Sequence, residues 1–221
     1  EGLEEDQKPG KNMQRRIAKK NELEFILEKT MNHPSPKAYL EQYTIPADLA
    51  GWILRQAAYS HDDIVGKTVL DLGCGTGRLG IGAAILGAEN IIGIDIDHVA
   101  VATARRNAEE AGVGEKIAWI VGDIDSITGH CDTVLQNPPF GVQRRGADAR
   151  FLEKALKVAD VTYSLHKSGK NSMRFISDLV KSLGGEITQI FPAKFEIPYT
   201  FEFHRRRRRI VIVDLYRIKR R

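Results

Sequence analysis

The feature that most constrains the fold is an alternation, beyond Gly66, of short β-branched runs with longer stretches of helical apolar spacing. Each run predicts a buried strand, and each longer stretch can cross between parallel neighbours, which takes about a dozen residues. The sequence therefore predicts a doubly wound α/β fold with a mostly parallel sheet. The predicted strands are Thr68–Asp71, Ile91–Asp95, Ile117–Val121, Thr133–Gln136, Val161–Leu165, Ile187–Ala193 and Ile210–Arg217. The predicted helices are Leu79–Leu86, Val99–Ala111, Ala149–Val158 and Ser172–Leu183.

The last two predicted strands are separated by FEIPYTFEFHRRRRR, which has no helical pattern. Without a crossover helix, consecutive strands pair as a hairpin. We therefore expect an antiparallel C-terminal hairpin at one edge of the sheet.

The N-terminal third divides into a polar leader and a helical extension. Residues 1–12 carry no periodic apolar pattern and are interpreted as a disordered leader or a cloning remnant. Residues 13–65 are predicted to form N-terminal helices, one over Met13–Met31 and another ending near Tyr59. Residues 66–221 form the predicted α/β domain.

Composition excludes several classes of protein. The chain has 221 residues, 42% of them hydrophobic, which suffices for one core. Cys74 and Cys131 are too few for a disulfide scaffold and lack metal-ligand spacing, so we expect a reducing compartment and no metal site. No apolar run reaches the length of a membrane span and the start does not resemble a signal peptide, so we expect a cytoplasmic protein.

The positive charge is concentrated at the C-terminus. Residues 205–221 contain nine Lys or Arg and one Asp, whereas the preceding residues are net acidic. Such residues can simply keep a strand edge soluble. Five consecutive arginines favour contact with phosphate instead; they are Arg205, Arg206, Arg207, Arg208 and Arg209.

A glycine loop follows the first predicted strand in VLDLGCGTGRLG, Val69–Gly80. Gly73, Gly75 and Gly77 allow a tight turn and close approach to a ligand, whose polar groups can meet free amides at Thr76–Arg78. Taken alone this loop also fits a ligand-free turn or a dinucleotide site. Acids at the next two strand ends, Asp95 and Asp123, favour a nucleoside ligand, because a carboxylate there can bind both ribose hydroxyls.

The fourth predicted strand ends in Asn137, Pro138, Pro139 and Phe140, and the prolines cannot continue a sheet. An exocyclic amine is a weak nucleophile because its lone pair is delocalised. The Asn137 side-chain oxygen and the Pro138 carbonyl can accept both amine protons and localise that lone pair, while the prolines keep the geometry rigid. Phe140 offers a flat face for an extruded base. A proline-rich turn with Phe140 as a core residue is the alternative.

The loop and acids resemble motifs of the class I S-adenosylmethionine-dependent methyltransferases, and NPPF resembles the tetrad of amino-methyltransferases acting on adenine N6. The resemblance implies a Rossmann-like sheet and S-adenosylmethionine as cofactor. Its methionine part would be wrapped by Asp71 to Gly77, a segment that includes Thr76. Arg78, the next residue, is also a predicted cofactor-binding residue. Asp95 would hold the ribose, and Asp123 with Ile124 the adenine.

Nearly all of the chain from Tyr39 onward resembles the methyltransferase-like protein 5 family, which methylates adenine N6 in small-subunit ribosomal RNA. The matching pieces are LEQY at Leu40–Tyr43, the glycine loop and helix at Asp71–Ala88, GIDID at Gly93–Asp97, NPPFG at Asn137–Gly141 and YSLHK at Tyr163–Lys167. The resemblance implies that Gln42 and Tyr43 bind the cofactor. The family has Pro-Thr after EQY, whereas this chain has Thr44 and Ile45, so the hydroxyl contact is expected at Thr44 or is missing.

The resemblance also implies a partner, a small zinc-binding activator of the Trm112 type that covers a sheet edge, for which Ile117–Val121 is the candidate strand. We expect ribosomal RNA as substrate, with phosphate contacts from Arg144, Arg145, His166 and Lys167 beside the C-terminal arginines. The related NPPY motif occurs both in adenine methyltransferases and in enzymes that methylate a glutamine side chain, so a protein glutamine-N5 methyltransferase is one alternative. A cofactor-binding RNA-binding protein without turnover is another.

Overall fold

A seven-stranded sheet forms the centre of the computed structural model, which describes residues 22–140, 146–198 and 208–221. The strands are β1 (Thr68–Leu72), β2 (Asn90–Asp95), β3 (Ile117–Val121), β4 (Cys131–Gln136), β5 (Ala159–Lys167), β6 (Gly185–Pro198) and β7 (Arg208–Arg220). Their order across the sheet is β3-β2-β1-β4-β5-β7-β6. Every predicted strand is present, with ends that differ by up to five residues.

Strand direction follows the connections between strands. The first five strands pair in parallel, because each crossover contains a helix or a long loop. β7 is antiparallel to β5 on one side and to β6 on the other, which confirms the predicted hairpin. The hairpin is inserted so that β7 is an inner strand and β6 the edge.

Helices cover both faces of the sheet. They are α1 (22–29), α2 (Ala47–Arg55), α3 (Arg78–Leu86), α4 (His98–Glu110), α5 (Ala147–Val158) and α6 (Lys170–Ser182). A π-helical turn, Gln56–Ser60, continues α2 and ends one residue beyond the predicted end near Tyr59. The other predicted helices are confirmed with ends that differ by one or two residues, and the part of the Met13–Met31 helix before residue 22 lies outside the described residues.

The core has two sides because successive strand residues point to opposite faces. Helices α1, α2 and α3 pack on one face, where Leu54 and Ile81 are buried. Helices α5 and α6 pack on the other face, where Leu152 and Ile176 surround Tyr216. No described helix is long and apolar enough to cross a membrane.

The parallel strands bring their carboxyl ends to one edge of the sheet. The residues that follow β1 to β4 therefore lie next to one another, at the edge where doubly wound sheets bind ligands. Residues 30–46, here called the strap, join α1 to α2 and contain a short 3₁₀ turn, Ala38–Leu40. The strap crosses this edge and forms part of its surface.

Candidate active site

A cavity of about 460 Å³ opens at the carboxyl edge. The glycine loop, the ends of β2 and β3, the Asn-Pro-Pro-Phe tetrad, the strap and the start of α5 all line it. The structure therefore brings together most of the residues that the sequence assigned to a cofactor and to a reacting amine.

The glycine loop shapes the floor of this cavity. Gly75 has a φ of 53°, and a Cβ built there meets nothing within 4 Å. Its amide donates to Asp95 Oδ2 at 2.9 Å. At Gly77, by contrast, a Cβ would lie 2.6 Å from the Trp119 ring. Gly77 is needed for packing, whereas Gly75 leaves space that a ligand can use.

Asp71 stabilises the glycine loop from its buried side. Its Oδ2 accepts a hydrogen bond from the Gly80 amide at 2.8 Å, and the side chain is buried. Burial raises the pKa of Asp71 to about 7, because a charged carboxylate is poorly solvated there.

Asp95 lies at the end of β2, where the sequence predicted a ribose-binding acid. Its two oxygens accept hydrogen bonds from the amides of Gly75 and Asp97, both at 2.9 Å. Burial raises the pKa of Asp95. A carboxylate has about four acceptor positions, so these two bonds leave capacity for hydroxyl donors.

Asp97, two residues later, ties the strap to the cavity wall. Its Oδ2 accepts from Gln42 Nε2 at 2.9 Å and lies 3.1 Å from Lys37 Nζ and 3.3 Å from His33 Nε2. Its Oδ1 caps α4 by accepting from the Val99 amide. Burial opposes ionisation, but the hydrogen bonds from Gln42 and Lys37 outweigh it and hold the pKa of Asp97 below its usual range. Gln42, which was predicted to bind the cofactor, lines the cavity, and its side-chain amide binds Asp97.

Arg78 also holds the strap. It is buried, and its guanidinium donates to Thr30 Oγ1 and O, Asn32 Oδ1 and Ile45 O at 2.6–3.2 Å. Burial lowers the pKa of Arg78. Although Arg78 lines the cavity, these bonds direct its donors to the protein rather than to a ligand.

Asp123 and Ile124 follow β3 and line the far end of the cavity. Asp123 Oδ1 accepts from the Asp125 amide at 2.9 Å and pairs with Arg150 of α5. The hydrogen bond from the Asp125 amide and the Arg150 charge lower the pKa of Asp123. The acid predicted for the adenine amine is therefore ionised and already bound to an arginine.

The tetrad follows β4, the strand that pairs with β1, and it forms another wall of the site. Asn137 and Pro139 line the main cavity, and Asn137 Oδ1 is buried without a hydrogen-bond partner among the described residues. Pro138 and Phe140 face a second, small cavity shared with Tyr43 and Thr44 of the strap. The Phe140 ring is partly buried against the core of α1, α2 and α3. The Thr44 hydroxyl accepts a long bond, 3.5 Å, from the His33 amide.

The structure describes only some of the side chains that were predicted to contact RNA. Lys167 is exposed at the end of β5. His166 is buried, and its Nε2 lies 2.6 Å from Ser164 Oγ, so this side chain is not placed to contact phosphate as expected. The following predicted residues lie outside the described residues or have only their backbone described: Arg144, Arg145, Arg205, Arg206, Arg207, Arg208 and Arg209.

Several site residues were not predicted from the sequence. They are Glu41, Lys37 and His33 of the strap, Asp97 after β2 and Arg150 of α5. Asp97 had a recognisable signal, because an Asp directly before a helix is a common N-cap. The others depend on which segments the fold brings together.

Two features of the cavity bear on the cofactor that the sequence implied. The space at Gly75 lets a ligand approach the main chain. One buried oxygen of the glycine loop at the cavity, Thr76 Oγ1, has no hydrogen-bond partner within the described residues. Unpaired buried oxygens are costly unless a ligand or water satisfies them. Together with the free acceptor capacity of Asp95, the residues present therefore fit a nucleoside-containing cofactor.

Comparison with known proteins identifies relatives over nearly the whole chain. The rRNA N(6)-adenosine-methyltransferase Mettl5 of Drosophila melanogaster is 34% identical over 91% of this chain and 96% of its own. An uncharacterized protein of Methanocaldococcus jannaschii is 40% identical over 92% of this chain and 95% of its own. A model of the ribosomal protein L11 methyltransferases (PrmA) matches residues 57–137.

Solved structures also resemble this chain over most of its length. A candidate RNA methyltransferase from Pyrococcus horikoshii superposes with a TM-score of 0.85 at 39% identity, covering 91% of this chain and 97% of its own. Magnesium protoporphyrin IX methyltransferase from Synechocystis, solved with bound S-adenosylmethionine, has a TM-score of 0.57 at 19% identity, covering 79% and 77%. The second match shows a shared fold.

Proposed function

Because the chain belongs to the methyltransferase-like protein 5 family of rRNA N6-adenosine methyltransferases, we propose that it methylates the N6 amine of an adenosine in small-subunit ribosomal RNA. The observation that carries this proposal is that Asn137 Oδ1 is buried at the cavity and has no hydrogen-bond partner in the described part of the chain. An adenine amine supplies the missing donor.

The cofactor in this proposal is S-adenosylmethionine, which supplies an electrophilic methyl group when bound. Gly75 and Asp95 would hold its ribose side, and Ile124 with Asp123 its adenine. Asp71 and Thr76 would lie along its methionine part. Asp123 would hold the adenine amine while it keeps its pair with Arg150, since a carboxylate accepts several bonds.

Asn137 and Pro138 would prepare the acceptor. Their oxygens would accept hydrogen bonds from the two amine N–H groups, which directs the nitrogen lone pair away from the ring π system. Pro139 stiffens the tetrad, and Phe140 stacks on the extruded base. Catalysis of this kind depends on alignment rather than on a strong base.

We propose that basic side chains hold the RNA. Lys167 is exposed at the end of β5, and we propose that it contacts phosphate together with Arg144, Arg145 and the run 205–209. Ribosomal RNA as substrate, together with the free thiols of Cys74 and Cys131, supports a cytoplasmic location.

We also propose a partner at β3, the edge strand of the parallel half. Ile120 and Val121 of this strand are exposed apolar residues. A small zinc-binding protein of the Trm112 type would cover them by adding a strand. The N-terminal extension, residues 13–65, would belong to the catalytic unit, because the strap lines the same cavity.

The test is methyl transfer from labelled S-adenosylmethionine to deproteinised small-subunit rRNA, with nucleoside mass spectrometry and the Trm112-type partner present. The wild type is expected to form N6-methyladenosine. Asn137→Ala should lower the rate at least about 100-fold, because a positioned acceptor of the amine is lost. Cofactor affinity should stay close to that of the wild type.

Asn90→Ala is the matched control, since Asn90 is an exposed amide at the start of β2. It should methylate RNA at the wild-type rate. Label on a protein glutamine with none on RNA would overturn the substrate, and equal rates for Asn137→Ala and the wild type would overturn the active site.

A further inference from the structure

The two prolines of the tetrad leave it with few main-chain donors. Pro138 and Pro139 have no N–H, so the next donor after Asn137 is the amide of Phe140. That amide donates to Glu41 Oε2 of the strap at 2.7 Å. A charged acceptor makes a stronger hydrogen bond than a neutral one, so this contact is a firm attachment of the tetrad.

Glu41 has an unusual backbone conformation. Its φ is 52° and its ψ 40°, in the left-handed region, where residues with a Cβ are uncommon. The residue ends the Ala38–Leu40 turn, and its own amide donates to Ala38 O. Only 9% of Glu41 is exposed. Unfavourable backbone conformations persist where the surroundings fix them, and they cluster at functional sites.

The residue after Glu41, Gln42, attaches the strap to a different wall of the site. Gln42 Nε2 donates to Asp97 Oδ2, and Gln42 Oε1 accepts from the Lys37 amide at 2.7 Å. Consecutive strap residues therefore hold two different walls of the site, the tetrad and the end of β2. Glu41, Asn137 and Phe140 also line one cavity of only about 20 Å³, so the strap lies close against the tetrad.

We infer that Glu41 is a positioning residue for the acceptor amine, an inference that rests on the proposed function. Its carboxylate fixes the Phe140 main chain and so the directions of the Phe140 ring and of the Asn137 oxygen. Loss of that bond loosens the acceptor site, whereas the Gln42 bonds to the cofactor wall remain. The substrate class that depends on Glu41 is an extruded adenine held for in-line attack, which tolerates little displacement.

The experiment compares Glu41→Ala and Glu41→Gln in the full chain with its partner. Single-turnover methyl transfer to small-subunit rRNA gives the rate, and calorimetry with S-adenosylhomocysteine gives cofactor affinity without turnover. Glu41→Ala is expected to lower the single-turnover rate at least about tenfold, with cofactor affinity within about twofold of the wild type. Glu41→Gln keeps an acceptor oxygen for the Phe140 amide and is expected to retain most of the rate.

Glu24→Ala is the matched control, because Glu24 is a carboxylate that pairs with Arg55 between α1 and α2, away from the tetrad. It should turn over at the wild-type rate. The inference is overturned if Glu41→Ala is as fast as the wild type, if Glu41→Gln is as slow as Glu41→Ala, or if cofactor affinity falls in step with the rate. Failure of the wild type to methylate RNA would instead overturn the proposed function.

Discussion

At the scale of single residues, His166 shows how the fold changes the chemistry of a side chain. It alternates along β5 with Tyr163 and Leu165 and shares a face with Ser164. That face is covered, so the imidazole is 2% exposed and packs edge-on against Tyr216. Burial lowers its pKa from 6.5 to about 4, because the charged form is poorly solvated.

The lowered pKa predicts how stability depends on pH. Because the folded pKa is below the unfolded one, His166 contributes full stability above pH 6.5 and loses it as the pH falls to about 4. The loss is about 3 kcal/mol over that range. Denaturant unfolding of the wild type and of His166→Gln between pH 4 and 7 should show a steeper acid decline for the wild type.

His98→Gln is the control for this measurement, since the His98 side chain is 78% exposed. Its stability should follow the wild-type curve. Parallel curves for the wild type and His166→Gln would contradict the argument.

His166 is also a residue whose environment the sequence predicted wrongly. In YSLHK a polar side chain at a strand end was interpreted as exposed, and Lys167 is exposed. His166 is covered because the C-terminal strand β7 pairs alongside, placing Asp214 opposite it. No local pattern reveals a neighbour about fifty residues away, whereas the glycine loop and Asp95 were predictable because their spacing along consecutive strands fixes their positions.

At the scale of elements, the strap is held mainly by side chains of the α/β domain. Arg78 donates to its two ends, at Thr30 and Ile45, and Asn107 bonds both main-chain groups of Met31. The strap has one short 3₁₀ turn of its own, so its order depends on these contacts.

Arg78→Met should release the strap while leaving the sheet folded. The variant loses four hydrogen bonds and leaves buried acceptors unpaired, which costs about 2 to 4 kcal/mol. Hydrogen exchange should speed up at least about tenfold for protected amides of residues 30–46 and stay unchanged in β1 and β4. Cofactor affinity should fall, because the strap lines the cavity.

Arg105→Met serves as the reference variant, since Arg105 is exposed on α4. It should leave exchange in the strap unaltered. If Arg78→Met exchanges like the wild type, the strap is held by other contacts.

Strands and helices were predictable to within a few residues because β-branched runs and helical spacing are local signals. Ile117–Val121 was predicted without error. The ends of β6 and β7 were missed by up to five residues, because the hairpin extends past its apolar centre into residues such as Lys194 and Arg208. In the strap, Gln42, Tyr43 and Thr44 were predicted as cofactor-binding residues, but its attachment through Arg78 and Asn107 was not, since those contacts join segments far apart in the sequence.

At the scale of the whole molecule, the two edges of the sheet differ. β6 forms one edge, and β3 forms the other with exposed Ile120 and Val121. Val121 is 54% exposed. An exposed apolar edge strand favours pairing with another chain.

Val121→Glu should therefore weaken binding of the proposed Trm112-type partner, because a buried charge at the new interface is unfavourable. The dissociation constant measured by calorimetry should rise at least about tenfold. The free energy of unfolding of the isolated chain should change little, since Val121 is at the surface.

Val65→Glu is the companion variant, since Val65 is also exposed but lies in the loop before β1. It should bind the partner as the wild type does. Equal binding of both variants would place the partner on another surface.

The position of β7 has a consequence for how the protein is made. This strand is synthesised after the other six described strands, yet it lies between β5 and β6. Until it is synthesised, β6 has no neighbour in the sheet, and β5 is an open, apolar edge that invites pairing with other chains. The nascent chain thus passes through a stage in which the cofactor half of the sheet is complete and the remainder is aggregation-prone. The nascent chain should depend most on chaperones just before β7 is synthesised.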